Sequence, residues 1–529
     1  MNEAIKKINS FCDSIYDKIQ IKNKVVKKII SILIFSISIH LLFSYIGVYK
    51  FIDKRPCSIH SSAQCQRASV ALNYYKNDMN FFEPRIQRYY TGSGITGLEF
   101  PIIYYSAAIM YKLFGFNEIF LRLINLSFVL FGLFLFYKLS YTYLKSYILT
   151  LFIIGSAVIS PVLLFYSPNF LPDAPSFGLV MASWYYFFRF MNTNKNKYLN
   201  LFVMCGTLAA LIKSIAILCF LVVFSLLILD ALKFFKTTEK IYLFKNKKRI
   251  LLTIIIGFLM VFIWYFYAHY ITIKYNNQTF ALSPIMVDSW ASLMKVWEFM
   301  KNYWAFQYYA YETYILLLLA IIIVIICIKH VNRLLISITT LYILGSICYF
   351  YFFTNQFQNH DYYIIAILPC AFFCLLTFGD IIIKLSKKYF RPIIVILVIA
   401  LFFNIKEALI NCKKNYYNRY LYELEYLQGI DYRSYEELEP ILRSKGIKRT
   451  DKTISAFDET YCSSLYLMDQ IGINIDQATS IGGLEPLLQL PEIKYLVVND
   501  SAKFNQLYHR DYRDKIIITY RGLIVYKLK

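Results

Sequence analysis

The residues able to do chemistry in this chain are few, and they stand at the borders of long apolar runs. Asp173 lies in Ser-Pro-Asn-Phe-Leu-Pro-Asp-Ala-Pro (167–175), between two such runs. The prolines fix the backbone and aim a lone carboxylate at the surface. The same residue also reads as the cap of the next helix, with Pro175 just inside it. Lys213 sits in Ala-Ala-Leu-Ile-Lys-Ser-Ile-Ala-Ile (209–217) with no other charge nearby. A solitary ammonium there suits an anionic group, or it snorkels to the interface. His360 and Asp361 stand in Asn-His-Asp-Tyr-Tyr-Ile (359–364), with Tyr362 beside them. An imidazole and a carboxylate in a short loop orient a sugar, bind a metal or take a proton, unless the loop is simply a polar interface.

The region before them carries further candidates. Glu99 precedes Phe100-Pro101, and Arg85 and Arg88 follow Phe81-Phe82-Glu83-Pro84. Arginine suits bidentate phosphate contacts, although singly each of these charges also fits a helix end. His60 and the run Gln-Cys-Gln-Arg-Ala-Ser (64–69), which holds Gln66 and Arg67, open an apparent helix through Asn73-Tyr-Tyr. Its polar groups line a pocket or face solvent.

What must position these residues is set by composition. Of 529 residues, 58% are hydrophobic and 17% charged, where soluble proteins carry about 25% charged residues. Cores stop growing near 250–300 residues, so this apolar excess has no soluble home. A soluble enzyme, a disordered chain and a secreted disulfide scaffold are excluded, and a polytopic membrane protein remains. The net charge of +23 is not a nucleic-acid footprint. Residues 413–529 hold 17 Lys/Arg against 16 Asp/Glu, so the excess falls in the earlier residues, mostly in short loops between apolar runs. That distribution orients a membrane protein.

Spans of about 20 apolar residues are expected at roughly 29–48, 120–139, 147–166, 174–191, 199–213, 215–232, 250–270, 314–328, 334–353, 362–383 and 392–410. Counting 100–116 as a further crossing puts the basic stretch 1–28 opposite all the others, so it is expected to lie in the outer interface. The expected organisation is a cytoplasmic basic N-terminus (1–28), a membrane domain (29–412) with about eleven spans and a long first outer loop (49–119), and an extracytoplasmic small α/β domain (413–529). In the last, Thr453–Phe457 and Lys494–Val498 read as strands, Ser463–Ile471 as a helix ending at Gly472, and 516–520 with 523–528 as a hairpin. Cys57 and Cys65 share the first loop and are candidates for a disulfide if that loop is extracytoplasmic. No H-E-x-x-H, cysteine-pair zinc site or phosphate-binding glycine loop is present.

The order of these motifs resembles a known family. A first span leads to H-x-x-x-Q-x-x-R-A…N-Y-Y, then N-F-x-x-P-R, E-F-P and an amphipathic helix with Y-K-x-F-G. L-P-D-x-P, an intramembrane I-K and H-D-Y-Y follow. This is similar to the bacterial relatives of protein O-mannosyltransferases and of the lipid A aminoarabinose transferase, membrane glycosyltransferases of the GT-C type, over roughly residues 30–410. The resemblance implies a bacterial plasma-membrane enzyme that moves a sugar, with inversion, from a polyprenyl-phosphate carrier to a glycan, lipid or protein acceptor at the outer face. It implies that Asp173 and Glu99 are the outer-loop carboxylates, that Lys213 stands near the carrier phosphate, and that His360 is the H-D-Y-Y histidine. Relatives carry an aspartate where this chain has Gln66, and glutamine cannot take a proton. Either the base role falls to Asp53, Glu83, Glu99 or Asp173, or activity is reduced.

The catalytic candidates are therefore Asp173, Glu99, Asp53 and Gln66. The substrate-binding candidates are Lys213, His360, Asp361, Arg85, His60, Arg67 and Tyr362. These residues fix no cofactor, and the requirement for a divalent metal stays open. The partners are the lipid-linked donor, the acceptor and membrane lipids, not nucleic acid. A transporter or flippase, or a polysaccharide polymerase or ligase of the envelope, is the alternative reading.

Overall fold

The computed structural model describes residues 24–89, 93–235, 243–280, 286–388, 393–421, 432–475, 480–507 and 513–529. Most of the basic N-terminal stretch lies outside them. The membrane part is a bundle of helices in chain order: α1 (Lys24–Ile46), α2 (Ser61–Lys76), α3 (Ile102–Phe114), α4 (Ile119–Leu144), α5 (Tyr147–Val158), α6 (Pro161–Tyr166), α7 (Asp173–Thr193), α8 (Asn196–Ile212), α9 (Leu218–Ala231) and α10 (Lys247–Lys274). Then come α11 (Trp290–Phe299), α12 (Tyr311–Ile326), α13 (Arg333–Phe352), α14 (Thr354–Asn359), α15 (Pro369–Lys388) and α16 (Ile393–Leu421), with short helical turns between some of them.

Among the described residues seven helices are long and apolar enough to cross a membrane. There are eight if Trp290–Tyr308 and Tyr311–Ile326, bent by 96°, count as one span. The expected eleven is larger for local reasons. The run 147–166 breaks at Ile159-Ser160, because Ser160 caps a new helix by accepting from the Leu163 amide with Pro161 in its first turn. The run 199–213 yields only the 17-residue α8. The run 174–191 forms α7, whose serines, Trp184, tyrosines and Arg189 keep it out of the seven. The run 100–116, which is not one of the eleven, forms the 13-residue α3, too short to span.

One close approach between α4 and α7 positions the site. A Cβ on Gly132 of α4 would stand 1.9 Å from the Gly178 carbonyl of α7, so these helices meet backbone to backbone. That contact fixes α7, whose first residue is Asp173. The long first loop is packed rather than solvated: α2 buries Gln64, Cys65, Gln66, Ser69 and Asn73 along with its apolar residues. Cys57 and Cys65 are not joined to each other, so the candidate disulfide between them is not formed.

The C-terminal residues form a five-stranded sheet, β1 (Lys452–Ala456), β2 (Gly472–Ile475), β3 (Ile493–Val498), β4 (Ile516–Tyr520) and β5 (Leu523–Lys527), in the order β2-β1-β3-β5-β4. β1 pairs in parallel with β2 and β3, while β5 pairs antiparallel with β3 and β4. The hairpin and two strands follow the sequence reading. The expected helix 463–471 stops at Leu467, and Gly472 opens a strand instead of ending a helix. The residue must be glycine, since a Cβ there would meet the Thr453 carbonyl at 1.7 Å. Gly472 also exchanges backbone bonds with the first loop, its amide donating to the Gln87 carbonyl (3.0 Å) and its carbonyl accepting from the Tyr89 amide (2.7 Å). A buried contact reinforces this seam, where Arg55 Nε donates to Glu118 at 3.2 Å and the Tyr466 hydroxyl donates to the same carboxylate.

Candidate active site

Asp173 is the first residue of α7 and is 5% exposed. The cap position belongs to Pro172 and makes no side-chain capping bond, so the carboxylate is not spent on the helix end. Its partner is Lys213, which follows α8 in extended backbone (φ −147°, ψ 109°). Lys213 Nζ lies 2.8 Å from Asp173 Oδ1, and Asp173 Oδ2 is buried without a hydrogen bond from any described residue. The ammonium also stands over two rings, 4.7 Å from the Tyr363 centroid and 5.4 Å from that of Tyr362. A small cavity of about 20 Å³, touching Ser176, Tyr342, Ile365 and Pro369, lies beside the pair. It has room for about one water.

Glu99 forms a second pair. The Phe100 amide donates to the Leu211 carbonyl, tying this loop to the end of α8 next to Lys213. Glu99 Oε1 accepts from Arg67 Nε at 3.2 Å and from the Tyr104 hydroxyl at 2.6 Å. Arg67 in turn donates through Nη1 to Gln66 Oε1 at 3.1 Å. Burial works against the Arg67 charge, but Glu99, Tyr104, Tyr362 and Asp173 outweigh it and hold the guanidinium above its ordinary value.

The H-D-Y-Y turn closes the cluster. His60 caps α2 in left-handed backbone (φ 57°), unusual for a non-glycine residue and typical of strained functional positions. Its Nε2 lies 3.2 Å from Asp361 Oδ1. Asp361 is fully buried and accepts from the Tyr166 hydroxyl at 2.8 Å and from Arg419 Nη1 at 2.8 Å. The His60 ring is 5.4 Å from His360 and 5.2 Å from Tyr362, and His360 stacks against both tyrosines. Burial, with His60, Lys213 and Arg67 adding to it, pushes the His360 imidazole down to about 3, so it is neutral.

The structure therefore brings together Asp173, Lys213, Glu99, Arg67, Gln66, His60, His360, Asp361 and Tyr362. It does not bring in Asp53, which is exposed in the turn after the first span. Arg85 is also outside, occupied by Asp78 (2.7 Å) and Glu83 (3.3 Å). Asp53 is a candidate base in place of the aspartate that Gln66 replaces, and Arg85 a candidate phosphate ligand; the fold turns both away from the cluster. Tyr104, Tyr166, Tyr363 and Arg419 were missed. The two tyrosines of H-D-Y-Y flank the histidine equally, so Tyr363 was within reach of a sequence reading. Arg419 lies 58 residues beyond Asp361 in a polar stretch, and nothing local marks it.

A divalent metal does not fit this donor set. Among the described residues no three His, Cys, Asp or Glu side chains converge, and Asp173 and Glu99 already hold Lys213 and Arg67 where a metal would sit.

No family model matches the sequence, and no curated protein does. Solved structures do match in fold. ArnT from Cupriavidus metallidurans in the apo state superposes with a TM-score of 0.58 at 10% identity, covering 94% of this chain and 97% of that one. The same protein bound to undecaprenyl phosphate gives 0.57 at 10% identity, over 94% and 98%. The Archaeoglobus fulgidus oligosaccharyltransferase complexed with Zn and sulfate gives 0.54 at 11% identity, over 88% of this chain and 69% of that one. The chain is a polytopic helical membrane protein with a small C-terminal sheet, and its fold is that of the GT-C glycosyltransferases.

Proposed function

We propose that the protein is an inverting membrane glycosyltransferase that moves a sugar from a polyprenyl-phosphate carrier to an acceptor hydroxyl on a glycan, lipid or protein. The observation that carries this reading is the buried Asp173–Lys213 pair, whose carboxylate keeps one oxygen free. Undecaprenyl phosphate is the ligand bound in one structural neighbour, and a lipid of that kind suits a site on membrane helices because its tail stays in the bilayer.

The chemistry follows from the residues. A single displacement forms the bond from the acceptor oxygen to the anomeric carbon and breaks the bond from that carbon to the phosphate oxygen. The phosphate leaves with the electron pair, and Lys213 and Arg67 stabilise its growing charge in a site poor in water. Asp173 Oδ2, the carboxylate oxygen that Lys213 leaves unbound, takes the proton of the acceptor hydroxyl as general base. Glu99 keeps Arg67 in place, while His360, neutral, and Tyr362 present ring faces and one nitrogen to the sugar. Gln66 takes no proton and holds the Arg67 guanidinium. The site faces away from the cytoplasm, with the N-terminus inside the cell and the C-terminal sheet outside.

Mass spectrometry of surface glycans from cells with and without the protein names the sugar and its attachment point. The same measurement on an Asp173→Asn variant tests the assignment, since a folded variant with unchanged glycans ends it.

A further inference from the structure

A second feature stands apart from this cluster and shares no lining residue with the small cavity beside Asp173. It is an apolar groove of about 570 Å³ between α1, α5 and α16. Along α1 its wall runs from Phe35 to Tyr45, and along α5 from Ile148 past Gly155 to Val158. At 1.5 Å per residue each wall is about 15 Å long, half of the roughly 30 Å hydrocarbon core. Ile405 and Leu409 of α16 close the third side. Gly155 keeps the slot open, because a Cβ there would already touch the Ile405 side chain at 3.7 Å and a longer side chain would fill the space.

The end of the groove at Tyr45 is charged. Lys413, one turn beyond Leu409, places its ammonium 4.5 Å from the Tyr45 ring centroid. Lys50 stands 5.6 Å from the ring of Tyr417, four residues further along α16. Neither lysine pairs with a carboxylate among the described residues. This end lies with the candidate active site, since Arg419 of the same helix binds Asp361.

A slot as long as one leaflet is deep, with unpaired cations at one end, is complementary to a lipid with a short chain and a net negative head. A polyprenyl chain of many isoprene units outruns it. We infer that the groove is a binding site for an anionic phospholipid, with one acyl chain between α1, α5 and α16 and the phosphate on Lys413 and Lys50.

The test is native mass spectrometry of the delipidated full-length protein, titrated with phosphatidylglycerol or phosphatidylcholine of matched chains. The wild-type protein is expected to bind one phosphatidylglycerol at least roughly fivefold more tightly than phosphatidylcholine, the worth of one lysine beside a phosphate. Lys413→Glu is expected to erase that preference while leaving chain binding, and Gly155→Leu to remove binding of both lipids. If Gly155→Leu does not fold, Ile405→Trp fills the same slot from the other side. An unchanged preference in Lys413→Glu, or unchanged lipid occupancy in the filled variant, overturns the inference. So does displacement of the phospholipid by equimolar decaprenyl phosphate, which would make the groove a carrier site.

Discussion

Lys213 Nζ and Asp173 Oδ1 meet at 2.8 Å, joining the end of α8 to the start of α7. Asp173 is the first residue of α7 and Lys213 the extended residue that closes α8, so two helix ends bring the side chains into reach of each other. Asp173→Asn removes the proton acceptor without changing shape and is expected to lower transfer by about 10²–10⁴-fold, the range for a general base. Lys213→Ala leaves a buried carboxylate unpaired. It is expected to lose transfer and also to melt earlier, by about 3–5 kcal/mol of stability, while Lys213→Arg recovers most of the stability. Glycan mass spectrometry and thermal unfolding in detergent separate the two effects. Full transfer by Asp173→Asn would remove the carboxylate from the mechanism.

Glu99 binds Arg67 and Tyr104 through one oxygen. Glu99→Gln therefore frees the guanidinium to shift, and a displacement of about 1 Å at a reacting centre costs on the order of a hundredfold in rate. Tyr104→Phe keeps the ion pair and removes one bond, worth about 1 kcal/mol. Transfer measured in membranes is expected to rank wild type, Tyr104→Phe and Glu99→Gln in descending order, and equal losses in both variants would contradict the ranking.

Asp361 is wholly buried and held by Arg419, Tyr166 and His60. Arg419→Ala leaves its charge stranded and is expected to destabilise the fold by about 3–5 kcal/mol. Combining it with Asp361→Asn is expected to recover part of that loss. A melting temperature in Arg419→Ala equal to wild type would show the pair to be dispensable.

His360 is held neutral, with its imidazole pushed down from 6.5 to about 3. Between those values the unfolded chain binds the extra proton and the folded chain does not. Its contribution is therefore complete above pH 6.5 and is lost as the pH falls toward 3, with a slope of up to about 1.4 kcal/mol per pH unit. Denaturant unfolding measured from pH 7 to pH 4 is expected to show a shallower decline in His360→Asn. Parallel curves for the two proteins would mean that His360 titrates normally.

The proposed orientation is checked by labelling in intact cells. A cysteine at Met110 of α3 is expected to react with a membrane-impermeant maleimide, and one at Lys197, which is exposed at the start of α8, only after permeabilisation. The reverse pattern would invert the topology and put the site on the cytoplasmic side.

The sequence by itself determined the kind of protein and most of its chemical vocabulary. Apolar runs and their flanking lysines specify a membrane bundle, because no other solvent accepts that composition. Asp173, Lys213, Glu99 and His360 were legible for a related reason: an ionisable group at an apolar border is costly, so each stood out against its neighbours. Tertiary structure alone decided who partners whom. Asp173 and Lys213 are 40 residues apart, and Asp361 finds His60 and Arg419 on segments far before and after it. Such pairs form because folding removes water from all of them at once and leaves each charge only its opposite to face. The same packing turned Arg85 toward Asp78 and left Asp53 in solvent. The broken run at Ser160 was decided locally but is invisible to hydropathy, since a serine cap and a proline divide two helices without making either less apolar.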